Sequence, residues 1–269
     1  MRGIFQGARG DRIFRAATIS ALVVLTLFFI LIVISLLTYT EWKTIVSAFV
    51  SSETLFAIRL SLFTATMATL FSLLIAIPVA YAISKNNFPG KTLVDSLLDL
   101  PIVISPIALG AALLVFFNTP LGAAINNNVL RFVFSVPGIV LAQFTVVSAL
   151  AIRLLKSTFD GIDTRYEQVA RTLGCSKPEA FFRVILPLSR NGLIASAILT
   201  WARATGEFGA TVTLAGATAM KTETLPISIF LSLASANVAQ AIALIIILVV
   251  ISLIALLTIR IVTGRRYGL

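Results

Sequence analysis

Six long apolar runs, separated by short polar breaks, set the pattern of the chain. They extend from about Ala16 to Thr38, Arg59 to Ser84, Leu97 to Phe117, Ser135 to Leu155, Asn191 to Ala217 and Ala239 to Val262. A helix needs about 20 predominantly apolar residues to cross a hydrocarbon core about 30 Å thick, and each run is long enough. Strands of a transmembrane barrel would alternate apolar with polar residues, whereas Leu22 to Leu37 and Ile242 to Leu257 do not. The pattern predicts an all-α membrane protein with six transmembrane helices. It forms a single transmembrane domain over residues 1–269, with an N-terminal span at 16–38 and core spans over 59–262. The first run exceeds the about 7–15 apolar residues of a signal peptide, and no small-residue cleavage site follows it, so it reads as a retained span.

Composition agrees: 58% of the 269 residues are hydrophobic and 12% charged, with a mean hydropathy of +1.03, values foreign to a soluble domain. Histidine is absent and Cys175 is the single cysteine. An intrachain disulfide and a His/Cys metal cluster are therefore excluded, and no metal site is expected. A net charge of +10 in a soluble protein would suggest nucleic acid. Here it reflects the Lys and Arg that gather at cytoplasmic flanks, so no nucleic-acid partner is expected. Assigning alternate breaks to alternate sides puts sixteen Lys and Arg on one side against Lys43, Arg59, Arg131 and Lys221 on the other, with Arg203 inside a span. Both termini are thus expected in the cytoplasm. The external segments, from about Tyr39 to Ile58, Asn118 to Phe134 and Thr218 to Val238, are short, and among them Leu225 to Ala236 alone reads as ordered. Pro226 suits a first helical turn there, giving a short helix in the interface or a vestibule, or a plain surface helix.

The break between spans four and five is different, for it runs about 35 residues from Lys156 to Arg190, long enough to imply structure or a task. Asp163 or Thr164 can cap a helix through Tyr166, Glu167, Val169, Ala170 and Leu173, and Gly174 follows as a helix-ending glycine. Ser176 and Glu179 have capping-box spacing, Pro178 suits the first turn, and the second helix carries Phe181, Phe182, Val184 and Ile185 before Leu186 and Pro187. Two short helices joined at a glycine, exposing Leu173, Cys175 and Phe181, fit either a partner's groove or the lipid headgroups.

Inside the membrane, Ala202, Gly206 and Ala210 form a small-residue stripe suited to close helix packing. Arg203 and Glu207 are four residues apart near the middle of span five, where an unpaired charge costs about 2.5–3.5 kcal/mol. They form a neutralising pair or, with Thr205 and Thr211, line a path for an oxyanion. Pro101 and Pro106, with Gly110 beyond, predict a broken or kinked third span, as a hinge or for packing. Gly90-Lys91-Thr92 mimics the end of a phosphate-binding loop, but Lys85 occupies the upstream glycine position. A membrane enzyme lacks histidine for acid–base work, and a structural assembly protein remains a further class.

In the loop, Gln168-Val169-Ala170, three residues, Gly174, nine residues, then Val184-Ile185-Leu186-Pro187 resembles the hallmark of the integral membrane subunits of ATP-binding-cassette importers. That hallmark is Glu-Ala-Ala, three residues, Gly, nine residues, Ile-x-Leu-Pro; Gln168, Val169 and Val184 depart from it, and Glu167 is the candidate replacement carboxylate. Phe88-Pro89-Gly90-Lys91, Asp99 to Pro106 and Trp201 to Ala210 are similar to the sulfate, molybdate and tungstate branch. The resemblance implies a type I importer permease fold in a prokaryotic cell membrane, carrying molybdate, tungstate or a related oxyanion. It implies a loop over 156–190 that couples to ATPases through Glu167, Gln168, Ala170, Arg171, Leu173, Gly174, Cys175, Ser176, Phe181, Leu186 and Pro187. It also implies a second copy of the chain, two ATP-binding-cassette ATPase subunits holding ATP and Mg, and an external oxyanion-binding protein. This chain would then bind no cofactor, have no ATPase site and contact only these partners and lipid. An ion-coupled secondary transporter is the alternative; it would call for repeated halves and several intramembrane carboxylates, where Glu207 alone is deeply placed.

Overall fold

The structure is a computed structural model that describes residues 2–39 and 42–264, with side chains described throughout those stretches except at 2–9, 42, 44, 259 and 262–264. Arg265 and Arg266, counted above for orientation, lie outside the described residues, as do Thr40 and Glu41 of the first external segment and the side chains of Arg2 and Arg9. Among the described residues there are helices and no strand: α1 (Arg2–Tyr39), α2 (Trp42–Val50), α3 (Ser52–Lys85), α4 (Lys91–Val103), α5 (Pro106–Asn118), α6 (Pro120–Asn128) and α7 (Val136–Asp160). The second half holds α8 (Thr164–Thr172), α9 (Lys177–Ala180), a π turn (Phe181–Ile185), α10 (Leu186–Leu188), α11 (Arg190–Thr205), α12 (Gly209–Ala215), α13 (Leu225–Ala234) and α14 (Val238–Gly264).

Among the described residues four uninterrupted helices are long and apolar enough to span, within α1, α3, α7 and α14, and up to six spans result if each of two bent pairs, α4 with α5 and residues 177–188 with α11, counts as one. The break expected in the third span is present: α4 and α5 meet at 110°. Pro106 starts α5, and the residue before a proline is driven out of the helical region, as Ser105 is at φ −55, ψ 135. The fifth span, expected as one helix, is also broken. At about 1.5 Å per residue α11 covers about 24 Å before stopping at Thr205, and α12 resumes after Gly206, Glu207 and Phe208. The stripe Ala202, Gly206, Ala210 is therefore not one helix face. The segments expected to be external are more ordered than their sequence suggests, since they also carry α2 and α6. Helix α13 is tucked into the bundle, with Leu225 and Ile227 fully buried, rather than lying on a surface.

The main seam joins α3 to α7. Of the eleven buried residues on α3, ten are Ala, Ser or Thr, recurring at Ala57, Ser61, Ala65, Thr69, Ser72, Ala76 and Ala80. Without bulk on that face the α7 backbone comes close, and Ile139, Val147, Ile152, Leu155 and Phe159 fill the space. Two core clusters lie along this seam, one around Ala65, Val146 and Leu214, the other around Ala80, Leu155 and Ile185. At the end of the bundle opposite α8, the Ser61 hydroxyl accepts from the backbone N–H of Leu225 at 2.7 Å and binds α13 to α3.

The two broken spans cross where Gly110 of α5 meets α12. A Cβ on Gly110 would stand 2.8 Å from the Ala210 carbonyl oxygen and from Thr213 Cβ. Overpacking at such a site costs about 1–3 kcal/mol. Gly110→Val is expected to lower the thermal unfolding midpoint of the detergent-solubilised chain, followed by circular dichroism, and Gly110→Ala to lower it less. Parental stability in both would show that α5 and α12 do not cross this closely.

Candidate coupling loop and broken span

The segment 161–189 is held by local caps first. The Asp163 carboxylate accepts from the Arg165 N–H at 2.9 Å and caps α8. At the other end Gly174 adopts φ +93, the left-handed conformation that glycine adopts without a Cβ penalty. The Cys175 N–H donates to the Ala170 carbonyl and that of Gly174 to the Arg171 carbonyl, both at 3.1 Å, the double bond of a Schellman end. Two residues later the expected capping box forms: the Ser176 N–H donates to Glu179 Oε2 at 2.8 Å and the Glu179 N–H to Ser176 Oγ at 3.4 Å. These bonds and nearby Arg183 hold the Glu179 carboxyl below its usual range. The second helix does not stop at Leu186 and Pro187; a π turn carries it to Leu188.

Long-range contacts then fix this unit to the spans. Tyr81 of α3 stacks edge-on against Phe181 at 4.7 Å and Phe159 at 5.9 Å, and its hydroxyl donates to Glu167 Oε2 at 3.0 Å. Lys85 Nζ donates to the Ile162 carbonyl at 2.7 Å, and Ser84 to Asp160 at 2.6 Å. The anticipated residues divide accordingly. Ala170 is buried and Glu167, Cys175, Phe181 and Leu186 are partly buried, whereas Gln168, Arg171, Gly174, Ser176 and Pro187 are exposed. Leu173 is 80% exposed, in one stripe with the exposed Tyr166 and Val169.

In the fifth span, Glu207 occupies the gap between α11 and α12 and is 1% exposed. Its Oε2 accepts from Arg203 Nη1 at 2.7 Å, and its Oε1 accepts from the Ala210 N–H at 3.1 Å. One carboxylate thus neutralises a cation and satisfies a backbone donor freed by the break, as hydrocarbon requires. The Arg203 side chain is 41% exposed and has further donors to offer. Thr205 and Thr211 are buried instead; the Thr205 hydroxyl donates to the Trp201 carbonyl at 2.9 Å, and Thr211 has no protein partner. The residues expected near a path are therefore adjacent in the chain but unequal in access.

Sequence reasoning missed a second ion cluster. Arg153 of α7, counted above only as a flanking charge, binds Asp99 and lies 2.9 Å from Asp95, tying α4, which has no buried residue, to α7. Partners 54 and 58 positions away leave no local signal. Gln143, at 1% exposure, was missed too; both ends of its amide lack a hydrogen-bond partner among the described residues.

Residues 72–266 match the family described as the binding-protein-dependent transport system inner membrane component. A molybdenum transport system permease protein of Haemophilus influenzae is 39% identical over 177 residues, covering 65% of this chain and 77% of that one. A molybdate/tungstate transport system permease protein of Thermococcus kodakarensis is 40% identical over 159 residues, 59% of this chain and 60% of that one. In structure, the chain is similar to a bacterial ABC transporter that imports the acidic polysaccharide alginate, with TM-score 0.77, 16% identity, and 98% and 99% of the two chains covered.

The pair in the broken span makes a testable demand. Removing one partner of a fully buried ion pair costs about 3–5 kcal/mol, and less is expected here because the Arg203 side chain is 41% exposed. Glu207→Gln and Arg203→Gln are each expected to lower thermal stability, and the double variant to recover part of the loss, a coupling of about 0.5–3 kcal/mol. A double variant no more stable than the singles would argue against neutralisation as the reason for the pair.

Proposed function

Because the chain belongs to the binding-protein-dependent transport system inner membrane components, multi-pass proteins of the prokaryotic cell membrane, we propose that it is the permease subunit of an ATP-driven importer for molybdate or tungstate. The names of its relatives in Haemophilus influenzae and Thermococcus kodakarensis support that substrate class. In this reading two copies of the chain enclose the path, and an oxyanion-binding protein delivers the anion on the side of α13. Two ATPase subunits, holding ATP and Mg, dock on the opposite, cytoplasmic side, where both termini lie. This chain contributes no ATPase site of its own.

The observation that carries the reading is the rigid helix–glycine–helix unit at 164–188. Its apolar stripe, Tyr166, Val169 and Leu173, is exposed and offers anchors at the spacing of a helix that inserts into a groove. Its other contacts, through Tyr81, Phe159 and Lys85, lead to the ends of α3 and α7. Closure of the ATPases on nucleotide would push on the stripe, and the fixed contacts would pass that displacement to the seam between α3 and α7. Nucleotide acts by binding one of two global states more tightly. Residues Gln168, Arg171, Gly174, Cys175, Ser176 and Glu179 surround the turn and belong to the docking surface, with Glu167 fixing α8 from behind.

For the anion, Arg203 is the residue with donors to spare. Glu207 orients it through the bond to Nη1, while Thr205 and Thr211 support the break from within. Tetrahedral oxyanions passing the midplane need a cation that does not hold them too strongly, and a guanidinium already half neutralised by a carboxylate meets that requirement.

A β-branched residue at Gly174 cannot take φ +93 without strain. Gly174→Val is expected to lower ATP-dependent molybdate uptake in proteoliposomes at least tenfold while the detergent-solubilised chain keeps its helicity. Unchanged uptake would refute coupling through this loop.

A further inference from the structure

A cavity of about 820 Å³ opens between the end of α3 and the inner face of the loop. Its walls have two chemistries. Leu74, Ile77 and Pro78 of α3 and Phe182 and Leu186 of the loop are apolar, whereas Lys85, Arg171 and Lys177 are cationic, with Glu167 the single acid. Glu167 is engaged by the Tyr81 hydroxyl at 3.0 Å, and neither Arg171 nor Lys177 forms an ion pair among the described residues.

The two chemistries are ordered along one helix face. Leu70, Leu74, Ile77, Tyr81 and Lys85 recur at three or four residues on α3, so they stack along one side. Leu70 and Leu74 are 50% and 69% exposed, and the same line ends in a lysine where the helix ends. An exposed apolar strip leading into a basic recess matches a phospholipid, acyl chain along the strip and phosphodiester at the cations. The polar face of α8, Thr164, Glu167, Gln168 and Arg171, closes the recess, while Tyr166, Val169 and Leu173 point the other way.

We propose that this recess binds an anionic phospholipid, with the headgroup phosphate held by Arg171, Lys177 and Lys85 and an acyl chain along Leu74 and Ile77. A bound lipid would fill the space between α3 and the loop and stiffen the connection between them. A soluble phosphate shares the headgroup chemistry but leaves the apolar half unused, so the lipid is the source that matches the whole cavity.

The test uses the full chain in phosphatidylcholine vesicles containing spin-labelled phosphatidylglycerol or spin-labelled phosphatidylcholine, reading the motionally restricted fraction by electron spin resonance. Phosphatidylglycerol should be preferred, and Arg171→Gln and Lys177→Gln should each lower the preference about fivefold, the effect of one cation near a membrane surface. Leu74→Trp, which narrows the apolar half without changing charge, should lower the restricted fraction of phosphatidylglycerol. Lys177 is exposed and unpaired, so its replacement reads binding rather than folding. Equal restriction of the two lipids, no response to the substitutions, or displacement by millimolar inorganic phosphate would each overturn the lipid site. Arg171 also borders the docking surface, so the two readings are separated by Lys177 and Leu74, which do not: loss of lipid preference in those variants leaves ATPase docking untouched.

Discussion

Everything else in this molecule hangs on the close contact between the small-residue face of α3 and the bulkier face of α7. Between helices surrounded by lipid there is no gain from hiding apolar surface, so association comes from packing and from polar groups that find partners. A face built of Ala, Ser and Thr lets two backbones approach and leaves the bulk to one side. Both inner core clusters are assembled on that seam. So are the anchors of the loop, since Tyr81 and Lys85 end one member and Phe159 and Asp160 end the other. The sixteen residues of α11 lean on both.

Against that pair two of the other spans are interrupted, while α1 and α14 run unbroken. The α4–α5 break and the α11–α12 break face each other where Gly110 meets Ala210. Interrupted helices survive at membrane depth only where protein or water takes up the freed backbone groups. Here Glu207 does so for Ala210, and Arg153 secures α4 through two aspartates. Unbroken and broken spans thus lie side by side, and ion pairs secure each broken one.

The sequence was most legible where structure is decided locally. The caps of α8 and α9 and the turn at Gly174 depend on residues within a few positions, and Asp163, Gly174, Ser176 and Glu179 all adopt the roles their spacing implies. The break in the third span was legible for the same reason, since Pro106 constrains Ser105 directly. The break in the fifth was not: no proline marks it, and Gly206, which ends α11, reads equally well as one member of a small-residue packing stripe. The seam on α3 was hidden differently. Averaged hydropathy treats Ala and Leu alike, so a long apolar run conceals which of its faces is narrow. Arg153 was read as one charge among many because its partners lie on another helix.

The two helix ends that meet around Gly174 are each completed by their own neighbours, a Schellman end before the turn and a capping box after it. Nothing in that unit waits for a partner to supply a missing hydrogen bond. Its shape is therefore set in advance, and in the proposed reading an incoming groove would select a surface already in place instead of ordering a loop on contact. The consequence is kinetic as well as energetic. If the loop docks as proposed, a preorganised projection could leave its socket and re-enter it without refolding, which suits a joint loaded repeatedly more than one that simply holds.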